Sequence, residues 1–178
     1  MTENHVRLLL ADDHRMLRES LRRAMEEHGF DVSHLDSHMG TLQLRPEFFD
    51  VYLELAVEFG LPLRLSGSST ETPVGFPFRK LAAEEGVVFP DHLVYVRGVG
   101  SRGVVERTLG DLRPGVTEVY LNPAIDTAEL RALAPDWAAR VDDHDLLTGH
   151  SSLRALAGRA GATFVGYREL RELQRAGG

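Results

Sequence analysis

Three side chains able to bind a metal ion or move a proton stand at alternate positions in the stretch His34-Leu35-Asp36-Ser37-His38. If residues 31–39 form a strand, successive side chains alternate faces, and His34, Asp36 and His38 all point one way. Imidazole nitrogens and a carboxylate are ligands that zinc and similar divalent ions take, and a strand end above a barrel is where such groups reach solvent and substrate. At about 3.3 Å per residue, however, the two imidazoles lie roughly 13 Å apart on a regular strand, too far to share one ion. One histidine is then left to bind and the other to orient Asp36 or a substrate. The plainer alternative is two surface histidines and a turn-capping aspartate, and spacing alone favours neither.

The chain that must position these groups has 178 residues, 43% hydrophobic and 26% charged, enough for one ordinary domain with a substantial core. Its net charge of −7 argues against a nucleic-acid surface. It contains no cysteine, so any metal must sit on His, Asp and Glu. The longest apolar run near the start, Leu8-Leu9-Leu10-Ala11, is far short of a membrane span or a signal peptide, and cytoplasm is the expected compartment.

Residues 6–11 suit a buried parallel strand, with Asp12 and Asp13 at its C-terminal end, where carboxylates read as site residues. Met16, Leu17, Leu21 and Met25 recur at near-helical spacing before Gly29. Pro46 opens a second helix that Gly60 ends, 61–65 reads as a strand, and 66–77 has the turn-former density of a long loop. A helix over 78–85, a strand over 93–96, a helix over 104–112 and a strand over 116–121 follow, the last closing on Asn122. Asp91 and His92 read as a solvent-facing loop pair, Asp126 to Glu129 as a helix N-terminus, and Trp137 as a core anchor. Ser151 caps a helix through Ala160, 163–165 makes a short strand, and 167–174 is the terminal helix. This alternation predicts an α/β fold: a mostly parallel sheet with flanking helices.

The run His34-Leu-Asp-Ser-His38-Met-Gly-Thr, then Pro46-Glu-Phe-Phe and Leu55-Ala-Val-Glu-Phe-Gly60-Leu-Pro-Leu-Arg64, resembles the YdjC-like carbohydrate deacetylases, the chitooligosaccharide deacetylase family. Val119-Tyr-Leu-Asn122-Pro-Ala124, Pro135-Asp-Trp-Ala-Ala-Arg140 and Gly166-Tyr167-Arg-Glu-Leu170 follow in the same order, so the resemblance covers about 32–175. It implies metal-dependent removal of an N-acetyl group from an amino sugar or oligosaccharide, on a barrel-like fold, with magnesium or zinc as the divalent metal. It also makes His38 a metal ligand and adds an aspartate of the first strand: Asp13 as ligand and Asp12 as base. His34 and Asp36 then orient the ligands or the substrate. At Asn122 the family has a histidine, and asparagine cannot titrate near neutral pH to serve as a general acid. The family segment carrying a further metal histidine between the first strand and His34 has no counterpart here.

The opening, Val6-Arg-Leu-Leu-Leu-Ala-Asp12-Asp13-His14-Arg-Met-Leu and on to Val32, looks instead like the first βα unit of a response-regulator receiver domain. The expected organisation is a receiver-like unit over 1–31 and the C-terminal part of a YdjC-like deacetylase barrel over 32–178, packed as one compact domain. A closed (β/α) barrel rarely takes fewer than roughly 200 residues, so the barrel is expected to be incomplete. Its unpaired edge would favour association, in the simplest case a homodimer. The competing functional reading is a non-catalytic remnant or a response-regulator-like signalling hybrid. The phosphoacceptor aspartate and the lysine of a receiver are missing, since Glu54 stands where the first is needed and Lys80, the sole lysine, falls in a predicted helix.

Overall fold

The computed structural model describes residues 29–149 and 153–177, together with Arg23 and Glu27. The predicted first strand, Asp12, Asp13, the helix leading to Gly29 and the Ser151 cap lie outside the described residues.

Helix α1 (Pro46–Phe59) starts at a proline, whose missing N–H would have no intrahelical partner there, and stops at Gly60, whose φ of 58° is left-handed. Its inward face carries Phe49, Tyr52 and Ala56 into a core with Leu63, Leu65 and Val87, completed by Phe78 and Ala82 of α3 (Phe78–Glu84). Between them the chain runs extended through 61–65, buried at every position except Arg64. The expected loop over 66–77 includes a 3-10 turn, Ser68–Thr70, and the single-turn helix α2 (Glu71–Val74). Phe76 packs on Phe49 and Phe78, with ring centroids at 5.7 and 5.8 Å, so the end of this loop is packed onto the core.

Leu35 pairs with Leu63 in parallel. The Leu35 N–H donates to the Pro62 carbonyl, the Arg64 N–H to Leu35 and the Leu63 N–H to Val88, each at 3.0 Å. Strands β1 (His92–Tyr95) and β2 (Thr117–Tyr120) form the regular sheet among the described residues, parallel and in register from His92 opposite Thr117 to Tyr95 opposite Tyr120. Helix α4 (Ser101–Gly110) makes the crossover between them. Helices α5 (Ala128–Leu133), α6 (Trp137–Thr148), α7 (Leu153–Arg159) and α8 (Tyr167–Gly177) complete the chain. A second core joins Val96, Val105 of α4, Leu146 of α6 and Leu156 of α7. Among the described residues the pairing is parallel and helices intervene, as α/β patterning requires. Among the described residues no helix is long and apolar enough to cross a membrane.

Four expectations need correction. The strands expected over 31–39 and 61–65 are reduced to the single bridge between Leu35 and Leu63, and the first of these segments is extended only as far as Ser37, since His38–Gln43 is a 3-10 turn containing positive φ at Met39 and Gly40. Residues 163–165 form no strand, and Phe164 and Val165 are about half exposed. Trp137 is half-buried, opens α6 and carries the Arg131 guanidinium 4.6 Å above its ring, a cation–π contact instead of a core anchor. The helix N-terminus expected over 126–129 is present: Thr127 caps α5 by accepting the Leu130 N–H on its Oγ1 at 3.1 Å, Glu129 lies in the first turn, and Asp126 pairs with Arg131.

Phe49 is fully buried among three other rings. Phe49→Ala is expected to lower unfolding stability by about 3–5 kcal/mol, the cost of lost transfer energy plus a residual cavity, read as a fall in the urea midpoint.

Candidate active site

The extended segments and strands end on one side of the molecule, and a cleft of about 750 Å³ opens over their C-terminal ends. Asp36 to Gly40 line it after the Leu35 pairing, Arg64 after Leu63, Tyr95 to Gly98 from the last residue of β1 onward, and Tyr120 and Asn122 from the end of β2. Helix α6 closes the far wall with Asp136, Ala139, Arg140 and Asp143. This is where parallel α/β folds expose groups for binding and chemistry, because strand ends and the following loops converge there.

Arg64 ties the cleft floor together. Its Nε donates to Glu118 Oε1 at 2.7 Å and its Nη1 to Asp36 Oδ2 at 2.6 Å. The same guanidinium lies over the rings of Tyr120 and Tyr167, 5.3 and 5.9 Å from their centroids. Burial opposes the charge on Arg64, but the hydrogen bond it donates to Glu118 and the charges of Glu118 and Asp36 outweigh it, so its pKa is raised. The Tyr167 hydroxyl donates to Glu118 Oε2 at 2.8 Å, and burial beside that carboxylate pushes the phenol above its usual range.

His34 is stacked on Tyr167, with centroids 3.8 Å apart and planes 11° from parallel, and its Nδ1 lies 3.0 Å from Ser33 Oγ. It is not among the residues lining the cleft. The predicted alternation therefore holds for His34 and Asp36, which both face the Arg64 network, and fails at His38, where the turn begins. Asp36 is engaged by Arg64, whereas His38 stands exposed on the cleft wall.

That turn is fixed from both sides. The Gly40 N–H donates to the Ser37 carbonyl at 2.7 Å, the Leu42 N–H to Ser37 Oγ at 2.9 Å, and Thr41 Oγ1 to the His38 carbonyl at 3.1 Å. Buried Gln43 bridges to the next segment by accepting the Ser66 N–H at 2.8 Å. Met39 sits inside the turn at φ 59°, a left-handed conformation that costs a residue with a Cβ on the order of 1 kcal/mol.

Across the cleft, Asn122 follows β2. Its backbone N–H donates to Asp143 Oδ2 at 2.8 Å, and the other oxygen of this buried carboxylate accepts from Ser101 Oγ of α4. Of the residues expected at the site, the structure thus brings Asp36, His38 and Asn122 to one cleft and leaves His34 behind it. Among the described residues no three His, Asp or Glu side chains come together to hold a metal ion. A metal set would need carboxylates from elsewhere, and Asp12 and Asp13 lie outside the described residues. Arg64, Glu118, Tyr167 and Asp143 were not anticipated as site residues. For Arg64 and Glu118 the local signal is a charge set among apolar residues, as in Leu61-Pro-Leu-Arg64-Leu and Thr117-Glu-Val-Tyr120, which marks a half-buried ion without naming its partner.

Removing Arg64 would leave two carboxylates facing each other without a cation. Arg64→Ala is expected to lose about 3 kcal/mol of stability by urea unfolding, and Arg64→Lys to recover part of it. His34 has its pKa lowered by burial first and by Arg64 second, against the opposing charges of Asp36 and Glu118. The folded state therefore binds fewer protons on this ring than the unfolded chain, so its contribution is complete above the ordinary histidine pKa of about 6.5 and is lost as pH falls through the lower folded value. Unfolding midpoints measured between pH 7.5 and pH 5 should fall less for His34→Gln than for the wild type.

A family model for YdjC-like protein matches residues 9–158 of this chain, a span that includes Asp12 and Asp13. The crystal structure of a "putative cellobiose-phosphate cleavage protein" from Enterococcus faecalis superposes with a TM-score of 0.66 at 22% sequence identity, over 82% of this chain and 55% of that one. At that identity the likeness is one of fold, and the chain spans about half the length of the solved relative. No curated protein matches it. With the family model covering most of its length, the chain belongs to the YdjC-like family.

Proposed function

We propose that the cleft binds an amino sugar or short oligosaccharide and that the chain is a carbohydrate-acting hydrolase of the deacetylase kind, built on an incomplete barrel. One observation carries this reading: His38 and Asn122, at positions matching the family's strand-end histidines, line the same cleft over parallel strand ends. The wall chemistry supports it, since carboxylates, guanidinium groups and an amide offer the paired donors and acceptors that sugar hydroxyls need.

His38 is the ligand this chain offers a divalent metal from the described residues, with Asp13 beside it in the family pattern. A bound magnesium or zinc ion would polarise the acetamide carbonyl and acidify a water. Asp12 is the residue assigned to take that water's proton. Asp36, pinned by Arg64, presents its carboxylate at the cleft floor. Asn122 can hydrogen-bond a substrate but cannot protonate the departing amine. That difference favours a second reading, in which the cleft binds sugar and hydrolyses it slowly or not at all.

Zinc and magnesium, titrated separately by calorimetry, are expected to bind stoichiometrically to the wild type and to lose that binding in His38→Ala. Equal binding by the two proteins would overturn the metal assignment. Acetate release from N-acetylated glucosamine oligomers is expected to be slow in the wild type and to rise by about 10²-fold in Asn122→His, the usual worth of a positioned general acid. An unchanged rate in that variant would favour the binding-only reading.

A further inference from the structure

We infer that Met39 is a specificity-determining contact of the cleft, the apolar surface on which the C–H face or acetyl methyl of a bound amino sugar rests. The inference depends on the sugar-binding reading of the cleft. Two successive residues of the turn, Met39 at φ 59° and Gly40 at φ 69°, lie in the left-handed region. Glycine adopts that conformation freely, and the chain uses it at one position but keeps a long apolar side chain at the other. Met39 gains no core packing in exchange, since it is 84% exposed. A strained backbone persists where its surroundings over-determine it, and here the Ser37, Thr41 and Gln43 hydrogen bonds do so. The result is a fixed backbone that presents an exposed thioether side chain on the cleft wall, next in sequence to the exposed His38.

The rest of the lining leaves that role open. Sugar rings present an apolar C–H face that usually meets an aromatic ring, and the cleft has two. Tyr120 has the Arg64 guanidinium over it, and Tyr95 has that of Arg97, at 5.3 and 5.5 Å from the ring centroids. The two rings also pack on each other, 5.5 Å apart. Each ring thus has a cation and its neighbour against it, and of the two Tyr95 stays 44% exposed. Val96 is buried, which leaves Met39 as the exposed aliphatic side chain of size in the lining.

The test compares wild type, Met39→Gly and Met39→Leu by calorimetric titration with N,N′-diacetylchitobiose and by thermal unfolding. Met39→Gly is expected to unfold about 3 °C higher, because the left-handed strain is relieved, and to bind the disaccharide about tenfold more weakly, because a methionine-sized apolar contact is lost. Met39→Leu, which keeps an apolar side chain, is expected to bind within about twofold of wild type. A purely structural role for Met39 would not produce opposite changes in stability and affinity. If the wild type binds and Met39→Gly binds equally well, this inference falls and the sugar-binding reading stands. If the wild type takes up no disaccharide, both fall.

Discussion

The cleft depends on one half-buried guanidinium. Arg64 emerges from a segment whose neighbours Leu63 and Leu65 are fully buried, so its charge is drawn out of water by the packing of the strand that carries it. A desolvated cation is unfavourable unless its donors are satisfied and opposite charge lies close. Glu118 and Asp36 meet that requirement from two different segments, β2 and the stretch after Leu35. The bond to Asp36 and the bond to Glu118 thus link three extended segments across positions where backbone ladders are sparse. Between Leu35 and Leu63 a single bridge is formed, and the regular ladder begins only at β1 and β2. Side-chain electrostatics fix the relative placement of the segments where backbone pairing is thin.

The same network sets the fate of each nearby polar group. Tyr52, whose hydroxyl donates to the Leu35 carbonyl at 2.8 Å, locks α1 against the first segment just beneath Asp36. Tyr167, at the start of α8, brings the C-terminal helix against His34 and Glu118, so the segment around His34 and the C-terminal helix meet behind the cleft. Arg171 reinforces that closure by donating to the Val32 carbonyl at 2.7 Å and pairing with Asp31, whose pKa its guanidinium and that of Arg168 pull down to about 2. His34 is absorbed into this arrangement as a stacking partner, and His38, beyond the turn, is not. Two histidines of one short motif therefore have different chemistry because the backbone leaves the extended conformation between them.

Local signals in the sequence were legible where one residue decides the backbone. Pro46 and Gly60 mark the ends of α1, and apolar runs locate β1 and β2, because each acts within a few residues of itself. The turn at Met39 was not legible, since a methionine carries no preference for positive φ and the hydrogen bonds that impose it come from Ser37, Thr41 and Gln43. Arg64 and Glu118 were equally hidden. They stand 54 residues apart, and their meeting depends on which extended segments become neighbours, which no local pattern encodes. Helix α6 was missed for a related reason: its sequence Trp137-Ala-Ala-Arg-Val-Asp-Asp143-His-Asp-Leu-Leu-Thr148 places acids on the inward face, where Asp143 is satisfied only by partners from α4 and the end of β2.

Asp143 also determines what the asparagine at position 122 means. Both oxygens of this buried carboxylate are used, one by the Ser101 hydroxyl and the other by the backbone N–H of residue 122. The anchor grips the main chain at the strand end and makes no demand on the side chain there. Asn122 is itself exposed, flanked by Leu121 and Pro123, with open cleft before it. Exchanging a titratable side chain for an amide at such a position alters proton chemistry without altering the placement of the backbone. The scaffold that would present a general acid is therefore retained by packing and hydrogen bonds independent of that acid. The fold and the cleft can be conserved physically while the chemistry at their rim changes, because different atoms of the same residue serve the two purposes.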